Sequence, residues 1–203
     1  MLRLHDQLVS GNAYKVRLLL ALLGRSYERI EYDTYKGETR TPAFLARNPN
    51  GKIPALELDD GSVLPESNAI LCYLADGTDW LPGDRLARAR VLSWLFYEQY
   101  SHEPYIAVLR SWTQHPPAPP RPEAEWAERR AKGEAALALM DRHLETRDWF
   151  VGDGPTVADI ALYAYSHVAD EGGFEMAPYP AVQDWLARVA ALPGYVPIGF
   201  TPA

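Results

Sequence analysis

The residue types able to do chemistry concentrate in two short stretches near the start of the chain. The longer runs from Asn48 to Ser67: Asn48-Pro49-Asn50-Gly51-Lys52-Ile53-Pro54, then Ala55 to Leu58, an Asp59-Asp60-Gly61 turn, and Pro65-Glu66-Ser67. A proline cannot donate to a sheet ladder, so Pro54 marks the first residue of an edge strand or a bend. A cis Ile53–Pro54 bond would turn the backbone N–H and C=O of Ile53 outward, where an extended ligand could pair with them as an added strand. Twelve residues on, Glu66 offers a carboxylate to a ligand ammonium. Ser67 offers a hydroxyl, with the N–H groups of a helix start, to a ligand carboxylate. The combination suits a small extended peptide carrying both charges. A trans proline and ordinary hairpin chemistry would account for the same residues without any site.

The second stretch is Ser10-Gly11-Asn12, between a first strand and a first helix. Free backbone N–H groups at a helix start favour an anion, and a serine there can hydrogen-bond a bound thiolate. Lowering a thiol pKa by about one or two pH units raises its thiolate fraction roughly 10- to 100-fold near neutrality. Asn12 could donate a second hydrogen bond to the same sulfur, and either residue could instead simply cap the helix.

Other candidates are fewer. Cys72 is the single cysteine, flanked by Leu71 and Tyr73, and reads as a core residue. With no C-x-x-C, dithiol redox chemistry is excluded. The histidines His5, His102, His115, His143 and His167 have no partner at metal-ligand spacing, so no metal is expected. Gly152-Asp153-Gly154 lacks the lysine of a phosphate-binding loop. Tyr105 and Trp112 lie seven apart on one stripe of a long helix and could line a hydrophobic pocket. Thr156-Val157-Ala158-Asp159 has the form of a capping box, with an aspartate in place of the usual glutamate, and is a folding element.

The elements that must position these residues fall into two regions. Strand periodicity at Leu2–His5, helical spacing of Val16, Leu19, Leu20 and Leu23, and a second strand from Tyr27 to Asp33 give β-α-β. A short helix over Thr41–Arg47, the hairpin Ala55–Leu58 with Ser62–Leu64, and a helix over Ser67–Ala75 complete β-β-α. The expected organisation is an α/β domain over 1–76, a linker over 77–84 and an all-helical domain over 85–203. In the second region, Arg85–Thr113 reads as one long helix kinked at Pro104. A stiff, extended proline-dense loop follows, and then helices over Glu123–Glu145, Thr156–Ala169 and Pro180–Leu192.

The 203 residues are 47% hydrophobic and 23% charged, an ordinary globular composition. The net charge of −7 argues against a nucleic-acid or anionic-membrane surface. No apolar run approaches the ~18 residues of a membrane span, and the polar start Met1-Leu2-Arg3-Leu4-His5-Asp6 lacks the apolar core of a signal peptide. A cytoplasmic location is the expectation.

These residues resemble a glutathione transferase of the cytosolic type over essentially the whole chain. Lys52-Ile53-Pro54 is similar to the family's cis-proline loop, and Glu66-Ser67 to its γ-glutamyl-binding pair. Thr156-Val157-Ala158-Asp159 is similar to its helical capping motif, and Trp185-Leu186-Ala187-Arg188-Val189 with Pro193-Gly194-Tyr195 to its last helix. The resemblance implies a thioredoxin-like N-terminal domain, an all-helical C-terminal domain and a homodimer. Glutathione would be the co-substrate, held by Lys52, Ile53, Pro54, Glu66 and Ser67, with a small apolar electrophile meeting the helical domain. No tyrosine precedes residue 14, so Ser10 is the thiol-activating candidate of the serine-type pattern, with Asn12 its rival. The implied activity is conjugation of glutathione, or peroxide reduction. The alternatives are a glutathione-dependent disulfide reductase, a maleylacetoacetate isomerase and a non-catalytic binding protein.

Overall fold

The computed structural model describes residues 1–201. The chain folds into two compact units, one of Met1–Asp76 joined by the segment from Leu192, the other Gly77–Ala191. Pro202 and Ala203, the end of the expected helical domain, lie outside the described residues.

The first unit runs β1 (Arg3–Asp6), α1 (Gly11–Leu22), β2 (Glu28–Glu31), a 3-10 turn (Glu38–Arg40), α2 (Pro42–Leu45), β3 (Ala55–Glu57), β4 (Val63–Pro65) and α3 (Ser67–Ala75). The sheet order is β2-β1-β3-β4. β1 and β2 are parallel, as a β-α-β crossover requires, whereas β1/β3 and β3/β4 are antiparallel. β3 is therefore an inner strand, not the edge strand offered as one reading of Pro54. Its ladder begins at Ala55, paired with His5. Pro54 stands one residue before it, at the bend, where its missing N–H costs no ladder bond.

Helix α1 shows the largest departure from its sequence pattern. Besides Ala13, Tyr14, Val16, Leu18, Leu19 and Leu20 it buries Lys15 and Arg17 completely. Arg17 Nη1 donates to both oxygens of the buried Asp6 at 2.5 and 2.6 Å, and Arg29 Nε reaches the same carboxylate at 2.5 Å. Arg17 Nη2 donates to the carbonyls of Leu8 and Ile198 at 2.6 and 2.8 Å. Tyr14 Oη donates to the Val196 carbonyl at 2.7 Å. These bonds are why the segment from Leu192 groups with the first unit, although its sequence reads as part of the helical domain.

The second unit is helical: α4 (Arg85–Tyr97), a π-helical turn (Glu98–His102), α5 (Glu103–Gln114), α6 (Glu123–Leu144), α7 (Val157–Ser166), a 3-10 turn (Ala169–Gly172) and α8 (Pro180–Ala190). The expected kink at Pro104 takes the form of the π turn, with Pro104 in the first turn of α5, where no N–H is needed. The stretch 77–84 belongs to this unit, and the Trp80 carbonyl accepts from the Val157 N–H at 2.9 Å. Ile106, Leu109, Leu137, Tyr165, Ala169 and Phe174 form one core cluster. In α6, Gly133 is required by close approach, because a Cβ there would lie 2.5 Å from the Phe174 ring. The proline-dense loop carries a cis Ala118–Pro119 bond, so it is not extended throughout.

The expected capping box is present at Thr156 and Asp159. Cys72 is half-buried, not a core residue. No described helix is long and apolar enough to cross a membrane.

Candidate functional site

In the first unit, the two stretches singled out in the sequence meet. Ser10 is the N-cap of α1 and half-buried, its Oγ accepting from the Ala13 N–H at 3.3 Å. A serine hydroxyl that caps as an acceptor keeps its proton to donate, so capping and hydrogen bonding to an incoming anion are compatible. Asn12, at the start of α1, is joined to the other stretch. The Ser67 hydroxyl donates to Asn12 Oδ1 at 3.2 Å. With its oxygen held there, the amide is fixed in orientation at the start of α1. Tyr14 is fully buried and its hydroxyl is engaged by Val196, so it does not compete for that role.

The Ile53–Pro54 bond is cis. Pro54 is buried, Ile53 half-buried and Lys52 exposed. The ladder begins only at Ala55, and among the described residues no partner takes the backbone N–H or C=O of Ile53. Two residues to which the sequence reading gave no role shape this loop. Buried Asn48 accepts from the Asn50 N–H at 3.2 Å and donates to the Lys52 carbonyl at 2.8 Å. Arg40 Nη1 donates to the Asn50 carbonyl at 3.1 Å, and its guanidinium fills the space beside Gly51. Gly51 has a φ of 62°, which a glycine adopts without strain.

Glu66 and Ser67 sit where the sequence places them, at the entry to α3. Glu66 is exposed and is its N-cap residue, with φ 69° and ψ 111° and no side-chain cap bond. It is the one positive-φ residue among the described residues that is not glycine. Such a backbone costs about 1–3 kcal/mol and persists where the surroundings hold it for another purpose. Its carboxylate is left at the exposed helix start, beside the nearly buried Ser67. Substituting Glu66 with glycine is expected to raise the thermal midpoint slightly, with a gain of up to about 1 kcal/mol, while removing the acid. An unchanged or lower midpoint in thermal denaturation would show that the backbone there stores no strain.

Beneath this helix start lies Lys15, absent from the sequence-based candidates. Its Nζ is 3.4 Å from Ser67 Oγ and 3.4 Å from Asn68 Oδ1.

The remaining two candidates are in the second unit, and the cleft that Tyr105 lines does not include Trp112. Tyr105 lines a shallow cleft of about 330 Å³ with Tyr97, Ser101, Lys132 and Leu139, the Lys132 Nζ lying 5.5 Å from its ring centre. Trp112 packs edge-on against Trp126 at 5.2 Å and under the Arg129 guanidinium at 4.9 Å. Both rings do face α6 from α5. Arg129 Nη1 donates to the Pro104 carbonyl at 2.8 Å while its guanidinium covers Trp112. Among the described residues, no group of three or more His, Cys, Asp or Glu side chains could hold a metal ion.

Comparison with known proteins adds an independent line. Residues 9–76 match the family model described as glutathione S-transferase, N-terminal domain, and residues 94–193 the model described as glutathione S-transferase, C-terminal domain. The crystal structure of a glutathione S-transferase from Pseudomonas fluorescens superposes with a TM-score of 0.94 and 48% identity, covering 97% of this chain and 98% of that one. The disulfide-bond oxidoreductase YfcG of Escherichia coli is 30% identical, over 90% of this chain and 87% of its own length. A maleylacetoacetate isomerase of Rhizobium meliloti is 32% identical, over 95% and 92%.

Proposed function

The chain belongs to the glutathione S-transferase family, and on that premise we propose that it is an enzyme that adds the glutathione thiol to small apolar electrophiles. The observation that carries this reading is the Ser67–Asn12 hydrogen bond of 3.2 Å, which ties the carboxylate end of the site to its thiol end within one unit. In this reading glutathione lies extended along Ile53, pairing with the backbone groups that have no partner among the described residues. Glu66 takes the γ-glutamyl ammonium, Ser67 and the α3 N–H groups take the γ-glutamyl carboxylate, and Lys52 reaches the glycyl carboxylate. The Ser10 hydroxyl donates to the sulfur at the start of α1, where the helix dipole adds to the stabilisation of a thiolate. The thiol proton passes to water, and the thiolate then forms a C–S bond at the electrophilic carbon. The displaced electron pair departs with the leaving group or, in an addition, comes from the broken π bond and takes a proton from solvent. The protein supplies positioning and charge stabilisation, and no residue of its own becomes covalently attached. We expect a homodimer in the cytoplasm, with no metal required.

The likeness to a disulfide-bond oxidoreductase and the held orientation of Asn12 favour one second reading. There the bound thiolate attacks a disulfide, releases one thiolate and leaves a mixed disulfide. A second glutathione thiolate attacks the glutathione sulfur of that mixed disulfide, releasing the other substrate thiolate and forming oxidised glutathione, with Asn12 as the main donor to sulfur. An isomerase is less well supported, because Val9-Ser10-Gly11-Asn12 lacks the serine- and cysteine-rich loop of that group.

Calorimetric titration with reduced and then oxidised glutathione separates these. Binding of the reduced form alone is the expected result. Preference for the oxidised form would shift the assignment to the reductase, and binding of neither would remove both.

A further inference from the structure

We infer that Lys15 is a positioning residue for the γ-glutamyl carboxylate, an inference that rests on the glutathione reading above. A fully buried lysine is uncommon, because removing an ammonium from water is costly unless it is held by hydrogen bonds and charge. Lys15 sits near the start of α1, fully buried, and its Nζ reaches 3.4 Å to both Ser67 Oγ and Asn68 Oδ1. These two residues belong to the first turn of α3, the turn whose N–H groups are offered to the ligand carboxylate.

The direction of the bonds fixes what Lys15 does. An ammonium can only donate, so Ser67 Oγ and Asn68 Oδ1 accept from it. The single proton of Ser67 is then directed away from Lys15, to Asn12 Oδ1 at 3.2 Å. When a carboxylate arrives at the helix start, that proton is the donor available to it, and Lys15 holds the serine oxygen in the rotamer that presents it. The ammonium also places a positive charge directly behind the helix start. There it acts with the partial charge of the N–H groups at the helix start across a short distance of low dielectric. Lys15 therefore acts through Ser67 and Asn68 and does not touch the ligand. Its contribution depends on the ligand carboxylate and on nothing else in the peptide.

That dependence gives the test, a cycle between the residue and one ligand group. Binding of glutathione is compared with binding of 4-aminobutyryl-cysteinyl-glycine, which lacks only the γ-glutamyl carboxylate, in wild type and in Lys15→Met. Wild type is expected to bind the analogue about 30-fold more weakly, and Lys15→Met to bind the two within about threefold. KM for glutathione should rise in the variant with little change in kcat. A general structural defect would weaken both peptides alike, so an equal ratio in the two proteins overturns the role of Lys15. If Lys15→Met does not fold, Asn68→Ala removes one of the atoms that hold the ammonium. It is expected to show the same selective loss in smaller degree, and an unchanged ratio there overturns the proposal equally. Wild type that binds neither peptide is a different failure, which overturns the glutathione reading itself.

Discussion

Replacing Asp159 with alanine is expected to cost the folded protein about 3–5 kcal/mol, lowering its thermal midpoint by roughly 10 °C. Asp159 is fully buried and accepts four hydrogen bonds. Thr156 donates from its backbone N–H at 2.8 Å and its hydroxyl at 3.1 Å, Phe150 from its N–H at 3.2 Å, and Trp185 from Nε1 at 3.0 Å. One carboxylate thus joins the start of α7, the turn at Phe150 and the middle of α8. Burial pushes its carboxyl up to about 6, with the four donors pulling the other way. Removing it strands the N–H groups of Thr156, Phe150 and Trp185 in a site closed to water, and each stranded donor costs about 1–3 kcal/mol. Asparagine keeps one accepting oxygen and should lose about half as much. Equilibrium denaturation of the two variants checks the ordering. A loss under about 1 kcal/mol for alanine would mean that Asp159 does no more than an ordinary exposed helix cap.

Asp6→Ala is expected to be comparably damaging, about 3–5 kcal/mol, because it leaves the buried Arg17 guanidinium without its carboxylate. Asp6 and Arg17 are both fully buried, and Arg29 converges on the same carboxylate. The charge itself, rather than the lost contacts, is the dominant cost. Replacing both partners, Asp6→Leu with Arg17→Met, should therefore recover most of the loss even though Arg17 also holds the Leu8 and Ile198 carbonyls. Denaturation midpoints of the single and double variants decide the matter. A double variant no more stable than Asp6→Ala would assign the effect to the tail anchorage instead.

These two networks show which parts of the molecule were legible in the amino-acid order. Local patterns were. The β-α-β and β-β-α order, the hairpin at Asp59-Asp60-Gly61 and the capping box follow from periodicity and turn chemistry acting within a few residues. So did the positions of Ser10, Pro54, Glu66 and Ser67, since each marks the boundary of an element. Lys15 and Arg17 were not legible. A charged residue on a helix is ordinarily turned to water, and what buries these two are partners outside their own helix, Ser67 and Asn68 for one and Asp6 for the other. Trp112 and Tyr105 illustrate the same limit. Their spacing put them on one stripe, but the side chains each meets on α6, Lys132 for Tyr105 and Trp126 with Arg129 for Trp112, are not written in that spacing. Pro54 was misread in part because a strand's place in its sheet, inner or edge, is a property of pairing and not of the strand's own residues.

Activation of a bound thiol by the start of α1 can be followed by titrating the sulfur of glutathione in the saturated complex through its thiolate absorbance. The thiol pKa is predicted to fall by about one to two pH units from the ordinary value near 8.5. Ser10→Ala or Asn12→Ala should return it most of the way, and whichever variant does so identifies the donor. A bound thiol that titrates like free glutathione, unchanged in both variants, would mean that this loop does not activate it.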